Sequence, residues 1–310
     1  MKESQNIKVI AVLGPTASGK STLAMNIARK FGGVILNCDS RQIYREMDIG
    51  TAKPTENERK QVEHHLFDLI NPDETFSAGD YQALAARSIR NLSEQKKLCV
   101  LTGGTGFYYN AIADGLPATS SDPETVKQLQ QQLQEKGLEF LRQRLLEIDP
   151  QAYNNIDLNN SRRVMRAIEV VLITGRPFSE NLPQKPLPEA DFLPIVVTRP
   201  RNILHSRIEI RIKEMFDLGL ENEVRLLIEK FGRNAPGLDS IGYCEWFSYF
   251  DGHRKRPEVF EEILINSRQY AKRQETWFKK RPGTPMFDLE KTDSEEKILS
   301  QVKSFLQYSG

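Results

Sequence analysis

The amino-acid sequence predicts an α/β fold: a parallel sheet flanked by helices, with a helical insert and a helical, basic carboxyl-terminal part. Three observations carry that expectation. Short apolar runs rich in β-branched residues recur at 7–13 (IKVIAVL), 33–38 (GVILNC), 98–104 (LCVLTGG) and 192–198 (FLPIVVT), as suits strands buried on both faces. Helical stretches alternate with them, the order that builds a parallel sheet. A glycine loop, GPTASGKS (14–21), joins the first run to a helix and fits GxxxxGK[ST].

The first strand leads straight into that loop. Gly14, Pro15, Thr16, Ala17, Ser18, Gly19, Lys20 and Ser21 form the expected anion cradle. Two glycines permit close approach, the available backbone N–H groups point at anionic oxygens, and the following helix adds its positive end. Lys20 supplies a mobile cation, and the Ser21 hydroxyl suits a hard metal such as Mg²⁺. With a strand before and a helix after, the sheet is expected to be P-loop NTPase-like. The motif leaves the phosphate ester open: a nucleotide to be split, one to be used as a donor, or a diphosphate leaving group.

The helix STLAMNIARKF is expected to close at Gly32. The strand 33–38 then ends on Asp39, at the phosphate end of the sheet, where a carboxylate can meet a metal's water shell or accept a proton. Capping of the next helix is the plainer use of Asp39, compatible with catalysis. Ser40, Arg41 and Gln42 can hydrogen-bond a base or ribose, and Lys53 sits on a loop where it fits a solvated charge equally well. His64 and His65 lack ligands at zinc spacing and are expected to bond locally. Ligands in such sheets bind at the carboxyl ends of strands, so Gly14, Asp39 and Gly103 should converge on one cleft.

Residues 119–190 read as a helical insert between a first core part (1–118) and a second (191–310). Asp122, Pro123 and Glu124 start its first helix by N-cap and first-turn chemistry, and the proline-rich 181–190 marks its end. TPMFDL (284–289) is a possible edge strand. Arg162, Arg163 and Arg166 fall at helical i, i+1 and i+4. Residues 266–281 hold six Arg or Lys against one Glu, with Tyr270 and Trp277 interleaved, a combination that suits an RNA backbone and stacked bases or, equally, a buried Trp under a basic face.

Bulk properties exclude more than they assign. Net charge is +1, from 43 basic and 42 acidic residues, so any nucleic-acid surface must be local. Cys38, Cys99 and Cys244 are too far apart for a zinc knuckle or a disulfide framework, which fits a reducing cytoplasm. The amino end leaves no room for a secretory apolar segment, and no run approaches the ~20 residues of a membrane span. A GTPase would carry NKxD, which is missing, and DxxG occurs only at Asp239–Gly242, too late in the chain.

GPTASGKS, DSRQIYREMDIGTAKP, HHLFDLINPDETFSAGDY, GGTGFYYNAIADGL, SRRVMRAIEV, TGRP and YAKRQETWF follow one another in that order. Together they resemble the bacterial tRNA dimethylallyltransferases (tRNA isopentenyltransferases), over about residues 8–281. The resemblance implies transfer of a five-carbon prenyl group from dimethylallyl diphosphate to the exocyclic amine of the adenosine 3′ to the anticodon in tRNA. Mg²⁺ would assist and pyrophosphate would leave, so the loop would hold a leaving group. It further implies that Asp39 takes the proton of the amine, that Lys20 and Mg²⁺ at Ser21 serve the diphosphate, and that Thr105 hydrogen-bonds near the reacting oxygen. Arg211, with Arg207, would reach the pyrophosphate. Asp39, Ser40, Arg41, Gln42, Thr105, Lys127 and the stretch Arg162, Arg163, Val164, Met165, Arg166 would meet the anticodon stem-loop, with the insert as the RNA-contacting part. Phe107, Tyr108 and Tyr109 could line a prenyl channel, although core packing suits at least two of them. Cys244 stands where relatives commonly carry Lys or Arg. A monomer working in the cytoplasm is expected.

Three alternatives stay open on the sequence. An enzyme prenylating free adenine nucleotides would share the loop and the aspartate. A P-loop nucleotide kinase would consume ATP and ignore tRNA. A non-catalytic RNA-binding protein would keep the RNA surface and release no pyrophosphate.

Overall fold

The computed structural model describes residues 6–117, 121–181, 183–281 and 283–307. From the amino end the chain forms β1 (Ile7–Leu13), α1 (Lys20–Phe31), β2 (Gly33–Asn37), α2 (Glu56–Gln61), β3 (His64–His65), α3 (Ala78–Glu94), β4 (Leu98–Gly103) and α4 (Gly106–Ala113). Then come β5 (Leu116–Pro117), α5 (Pro123–Ile148), α6 (Pro150–Asn155), α7 (Ser161–Thr174) and β6 (Pro183–Gln184). The remainder is β7 (Ala190–Thr198), α8 (Arg201–Asp217), α9 (Leu220–Phe231), α10 (Trp246–Phe250), α11 (Arg256–Lys279), β8 (Met286–Asp288) and α12 (Ser294–Gln307).

Six strands form one sheet in the order β3-β2-β4-β1-β7-β8, and every pairing is parallel. Strand side chains alternate between faces, so β1 feeds two cores. Val9, Ala11 and Leu13 join Tyr81 and Ile89 of α3 and Ile208 and Ile212 of α8 on one face. Ile10 and Val12 join Leu23 and Ile27 of α1 and Ile298 and Val302 of α12 on the other. Leu13 lies level with Gly103 of β4 and Val196 of β7, so the strand ends that follow form one rim. Gly103 has to be glycine, because a Cβ there would overlap the Cys38 carbonyl. That close approach brings the turn after β2 against the turn after β4.

The expected strands are present, and β7 starts two residues early, at Ala190. The short β3, made of the two histidines, has no signature in the sequence, because two residues carry no periodicity. His64 Nδ1 lies 2.7 Å from the Val62 carbonyl and His65 Nε2 2.7 Å from Glu63, the local bonding expected of them.

Two compact units divide the chain: Met1–Ala113 with Leu187–Gly310, and Asp114–Pro186. The boundary expected at 118–119 lies outside the described residues. In the smaller unit Asp122 caps α5 by accepting from the Thr125 N–H at 3.0 Å, and the helical path breaks at Gly137. Leu129, Leu141, Leu145, Ala152, Val164, Ala167 and Ile168 form its core, and β5 pairs antiparallel with β6. No helix among the described residues is long and apolar enough to cross a membrane.

Candidate active site

At the carboxyl rim of the sheet, within the larger unit, lies a cavity of about 430 Å³. Thr16, Lys20 and Ser21 of the glycine loop, Asp39 to Gln42, and Thr102 with Gly103 at the end of β4 line it. Arg211, Tyr270, Arg273 and Gln274 close it from α8 and α11, and Ile208, Ile212, Met215, Ile241 and Ile263 supply an apolar wall. The expected convergence of the turns after β1, β2 and β4 is therefore real.

Each polar group is held by an identifiable partner. Asn37, fully buried at the end of β2, accepts the Asp39 N–H at 2.9 Å and donates to the carbonyls of Asp39 (2.9 Å) and Leu66 (3.1 Å). One Asp39 carboxylate oxygen accepts the Arg41 N–H at 3.0 Å. That is a local turn bond. No helix begins at Asp39, so the capping reading does not apply.

Thr105 stands just before α4, yet its hydroxyl serves the neighbouring turn: it accepts the Ser40 N–H at 2.9 Å and donates to the Ser40 hydroxyl at 3.2 Å. Thr105 thus sets Ser40 and is not itself among the cavity-lining residues.

The loop is braced from α8 and α11. Gln274, nearly buried, accepts the Thr16 N–H at 2.9 Å and donates to the Gly104 carbonyl at 2.9 Å, tying the turn after β1 to the turn after β4. Arg211 donates to the Thr16 hydroxyl at 2.6 Å and to the Thr51 carbonyl at 3.2 Å. Arg207 donates to the Ala17 carbonyl at 2.9 Å, so it braces the loop and does not line the cavity. Burial lowers the Lys20 ammonium to about 8; Asp39 opposes that fall and Arg211 adds to it. Burial pushes the Tyr270 phenol up to about 12, with Asp39 adding to the rise.

Ser21, Thr102 and Asp39 present oxygen donors to the same space. The Thr102 hydroxyl is buried with no hydrogen-bond partner among the described residues. No group of three His, Cys, Asp or Glu side chains that could hold a metal occurs among those residues. Such a sparse oxygen set fits Mg²⁺ held chiefly through phosphate oxygens and water, which is how that ion is usually bound.

Several expectations change on contact with the structure. Lys53 is no solvated charge: its side chain is 2% exposed and pairs with Asp48 at 2.7 Å and Asp68 at 2.5 Å. Gln42 spends its amide N–H₂ on the Thr51 and Ala52 carbonyls at 3.1 and 3.0 Å, so it shapes the cavity wall. Tyr108 and Tyr109 are core residues, Phe107 is 58% exposed, and none of the three lines the cavity. Trp277 packs on Gly106, which is where its flat face goes. In the smaller unit Val164 is buried in the core, and Arg166 bonds the buried Glu169 at 2.8 Å. Lys127, Arg162 and Arg163 are exposed, and Met165 packs partly against the core.

Gln274 and Glu223 gave no sequence signal, since each is defined by partners far away in the chain. The Glu223 carboxylate on α9 accepts the N–H groups of Asp48, Ile49 and Gly50 at 3.0, 2.8 and 3.1 Å, and the Tyr243 hydroxyl at 2.7 Å. Gly50 lies so close under the Tyr243 ring that a side chain would collide with it. One carboxylate therefore clasps two walls of the cavity, 50–52 and 239–244. Changing Glu223 to Ala is expected to lower unfolding stability by about 2–3 kcal/mol, because it strands those donors. Urea denaturation checks this, and an unchanged midpoint would refute the clasp.

The sequence matches the model of the IPP transferase family over residues 42–281. A tRNA dimethylallyltransferase of Acetivibrio thermocellus is 40% identical over 307 residues, covering 97% of this chain and 98% of that protein. Its counterpart in Bacillus cytotoxicus is 36% identical over 310 residues, covering 99% and 98%. The crystal structure of the tRNA isopentenylpyrophosphate transferase of Bacillus halodurans matches with a TM-score of 0.73 at 35% identity, over 97% of both chains. A eukaryotic dimethylallyltransferase solved acting on tRNA shares the fold, with a TM-score of 0.82 at 24% identity over 96% of this chain and 79% of that one. By its sequence and its fold, this chain belongs to the IPP transferase family.

Proposed function

We propose that this protein transfers a dimethylallyl group from dimethylallyl diphosphate to the exocyclic amine of the adenosine 3′ to the anticodon in tRNA, releasing pyrophosphate. One observation carries the reading: a single cavity joins an anion cradle, a carboxylate and an apolar wall. The cradle suits a diphosphate, the wall of Ile208, Ile212, Met215, Ile241 and Ile263 suits a short allyl chain, and Asp39 suits an amine between them.

An allylic C–O bond breaks readily once the leaving diphosphate is neutralised, because the forming cation is delocalised. Lys20, Arg211 and the loop N–H groups are preorganised for that charge. The bonding pair leaves with the diphosphate, and the adenine amine forms the new C–N bond. Its lone pair is delocalised into the ring, so it attacks well only as its proton is taken, and Asp39, which lines the same cavity, would accept that proton. Ser21, Asp39 and Thr102 would hold Mg²⁺, which would supply further charge neutralisation on the diphosphate.

RNA contact is assigned to the smaller unit. Arg162 and Arg163 lie exposed in the first turn of α7, where cations oppose the helix dipole. A phosphate there would offset that cost. Arg166 is left out, since its guanidinium already serves buried Glu169. Replacing both Arg162 and Arg163 by Ala should weaken binding of an anticodon stem-loop and reduce the slope of log K against log salt by about 1 for each phosphate no longer neutralised. A titration at several salt concentrations with an unaltered slope would remove this turn from the interface. A monomer acting in the cytoplasm completes the reading.

The nearest rival reading is prenylation of free adenine nucleotides. Purified protein, Mg²⁺ and labelled dimethylallyl diphosphate, incubated with tRNA, with AMP or with neither, separate the two. Label in tRNA alone is expected. Label in AMP alone would reject the tRNA assignment, and ATP hydrolysis without transfer would reject prenyl transfer altogether.

A further inference from the structure

The apolar wall of the cavity ends at a partition. Beyond it lies a second cavity of about 630 Å³, also within the larger unit, where the apolar Ile49, Ala52, Pro54, Met215 and Leu218 are rimmed by charged side chains such as Lys53 and Asp68. Three residues line both spaces: Ala52, Arg211 and Met215. Ala52 presents only a methyl group. Arg211 is fixed by its bonds to Thr16 and to the Thr51 carbonyl. Met215, 7% exposed, is the one apolar side chain of the partition with reach and free torsions.

The partition also has a direction. Arg211 and Met215 are one turn apart on α8, and Leu218 follows within the next turn. A chain starting from a diphosphate beside Arg211 and running toward the carboxyl end of α8 passes Ile212, meets Met215, and would next reach Leu218 in the second cavity.

We infer that Met215 sets the length of the prenyl group: it stops the pocket after five carbons and excludes a ten-carbon allylic diphosphate, although space for the extra carbons lies directly behind it. This inference rests on the reading of the cavity as an allylic diphosphate site. No new chemistry is involved; the same C–O bond breaks and the same C–N bond forms with either donor.

The test is a competition between dimethylallyl and geranyl diphosphate on an anticodon stem-loop RNA, with products resolved by mass. Wild type is expected to add five carbons almost exclusively. Met215→Ala should raise the geranyl-to-dimethylallyl ratio of kcat/KM by about 100-fold, in line with what a pocket gains or loses over a few methylenes. Met215→Val, a smaller change, should shift it in the same direction by less. An unmoved ratio in variants that still transfer five carbons would overturn the role of Met215. So would a wild-type enzyme that uses both donors equally, a result that needs no variant to fold. Absence of any transfer by wild type would instead overturn the allylic diphosphate reading itself.

Discussion

Asp39→Ala is expected to lower prenyl transfer to tRNA by about 10²–10⁴-fold, the range a positioned general base contributes, while tRNA binding survives. The expectation follows from how the carboxylate is mounted. Buried Asn37 fixes the Asp39 backbone from both sides, and the Arg41 N–H holds one carboxylate oxygen. The second oxygen is left for an incoming amine. Asp39→Asn separates the base from the scaffold, since the Asn side chain still accepts from the Arg41 N–H but takes no proton. Single-turnover rates for both variants should fall together. If Asp39→Asn keeps more than about a tenth of the wild-type rate, the loss lies below the range for a base, and Asp39 is structural.

Lys20→Ala is expected to lower kcat/KM by about 10²–10³-fold, the usual cost of removing one preorganised donor from a developing anion. The ammonium lines the cavity, and its own contact in the loop is a long one, 3.3 Å to the Pro15 carbonyl, so it is free to move onto an anion. Its pKa gives a signature that a packing defect would not. Burial puts it at about 8 in the free protein. A bound diphosphate stabilises the charged form, so the bound pKa lies higher. Below pH 8 the cation is present before and after binding, and its contribution is full. Above that pH a proton must be taken up on binding, and the advantage of wild type over Lys20→Ala shrinks by about tenfold per pH unit. Pyrophosphate affinities of the two proteins, compared at each pH, cancel the titration of the ligand itself. A ratio that stays constant from about pH 7 to about pH 9.5 would remove Lys20 from the anion site.

The two predictions draw on parts of the molecule that were unequally legible in the sequence. The phosphate loop and Asp39 could be read directly, because a strand, a glycine turn and a helix start are local features with fixed spacing. Their convergence was legible too, since parallel strands place their following turns on one rim. What the sequence hid was everything that depends on long-range partners. Gln274 is one glutamine in a basic helix until α11 crosses the turns at Thr16 and Gly104. Glu223 looks like a solvated helix charge until the 48–50 turn wraps its carboxylate. Lys53 stayed open for the same reason: only folding brings Asp48 and Asp68 around it. Arg162, Arg163 and Arg166 read as one basic cluster, and the structure separates them because Glu169, three residues on, is buried and claims Arg166. Charge patterns along a helix show which groups are available, and burial decides which of them stay free for a ligand.

In the proposed reaction the glycine loop holds a diphosphate leaving group and Asp39 faces the carbon it leaves. A crystal grown with Mg²⁺ and a non-reactive thio analogue of dimethylallyl diphosphate tests it most directly. The diphosphate is expected within hydrogen-bond reach of Lys20, Ser21 and Arg211, the allyl chain against Ile208, Ile212 and Met215, and the Asp39 carboxylate on the open side of the allylic carbon. A diphosphate bound elsewhere, or one in the loop with Asp39 turned away from the chain, would contradict it.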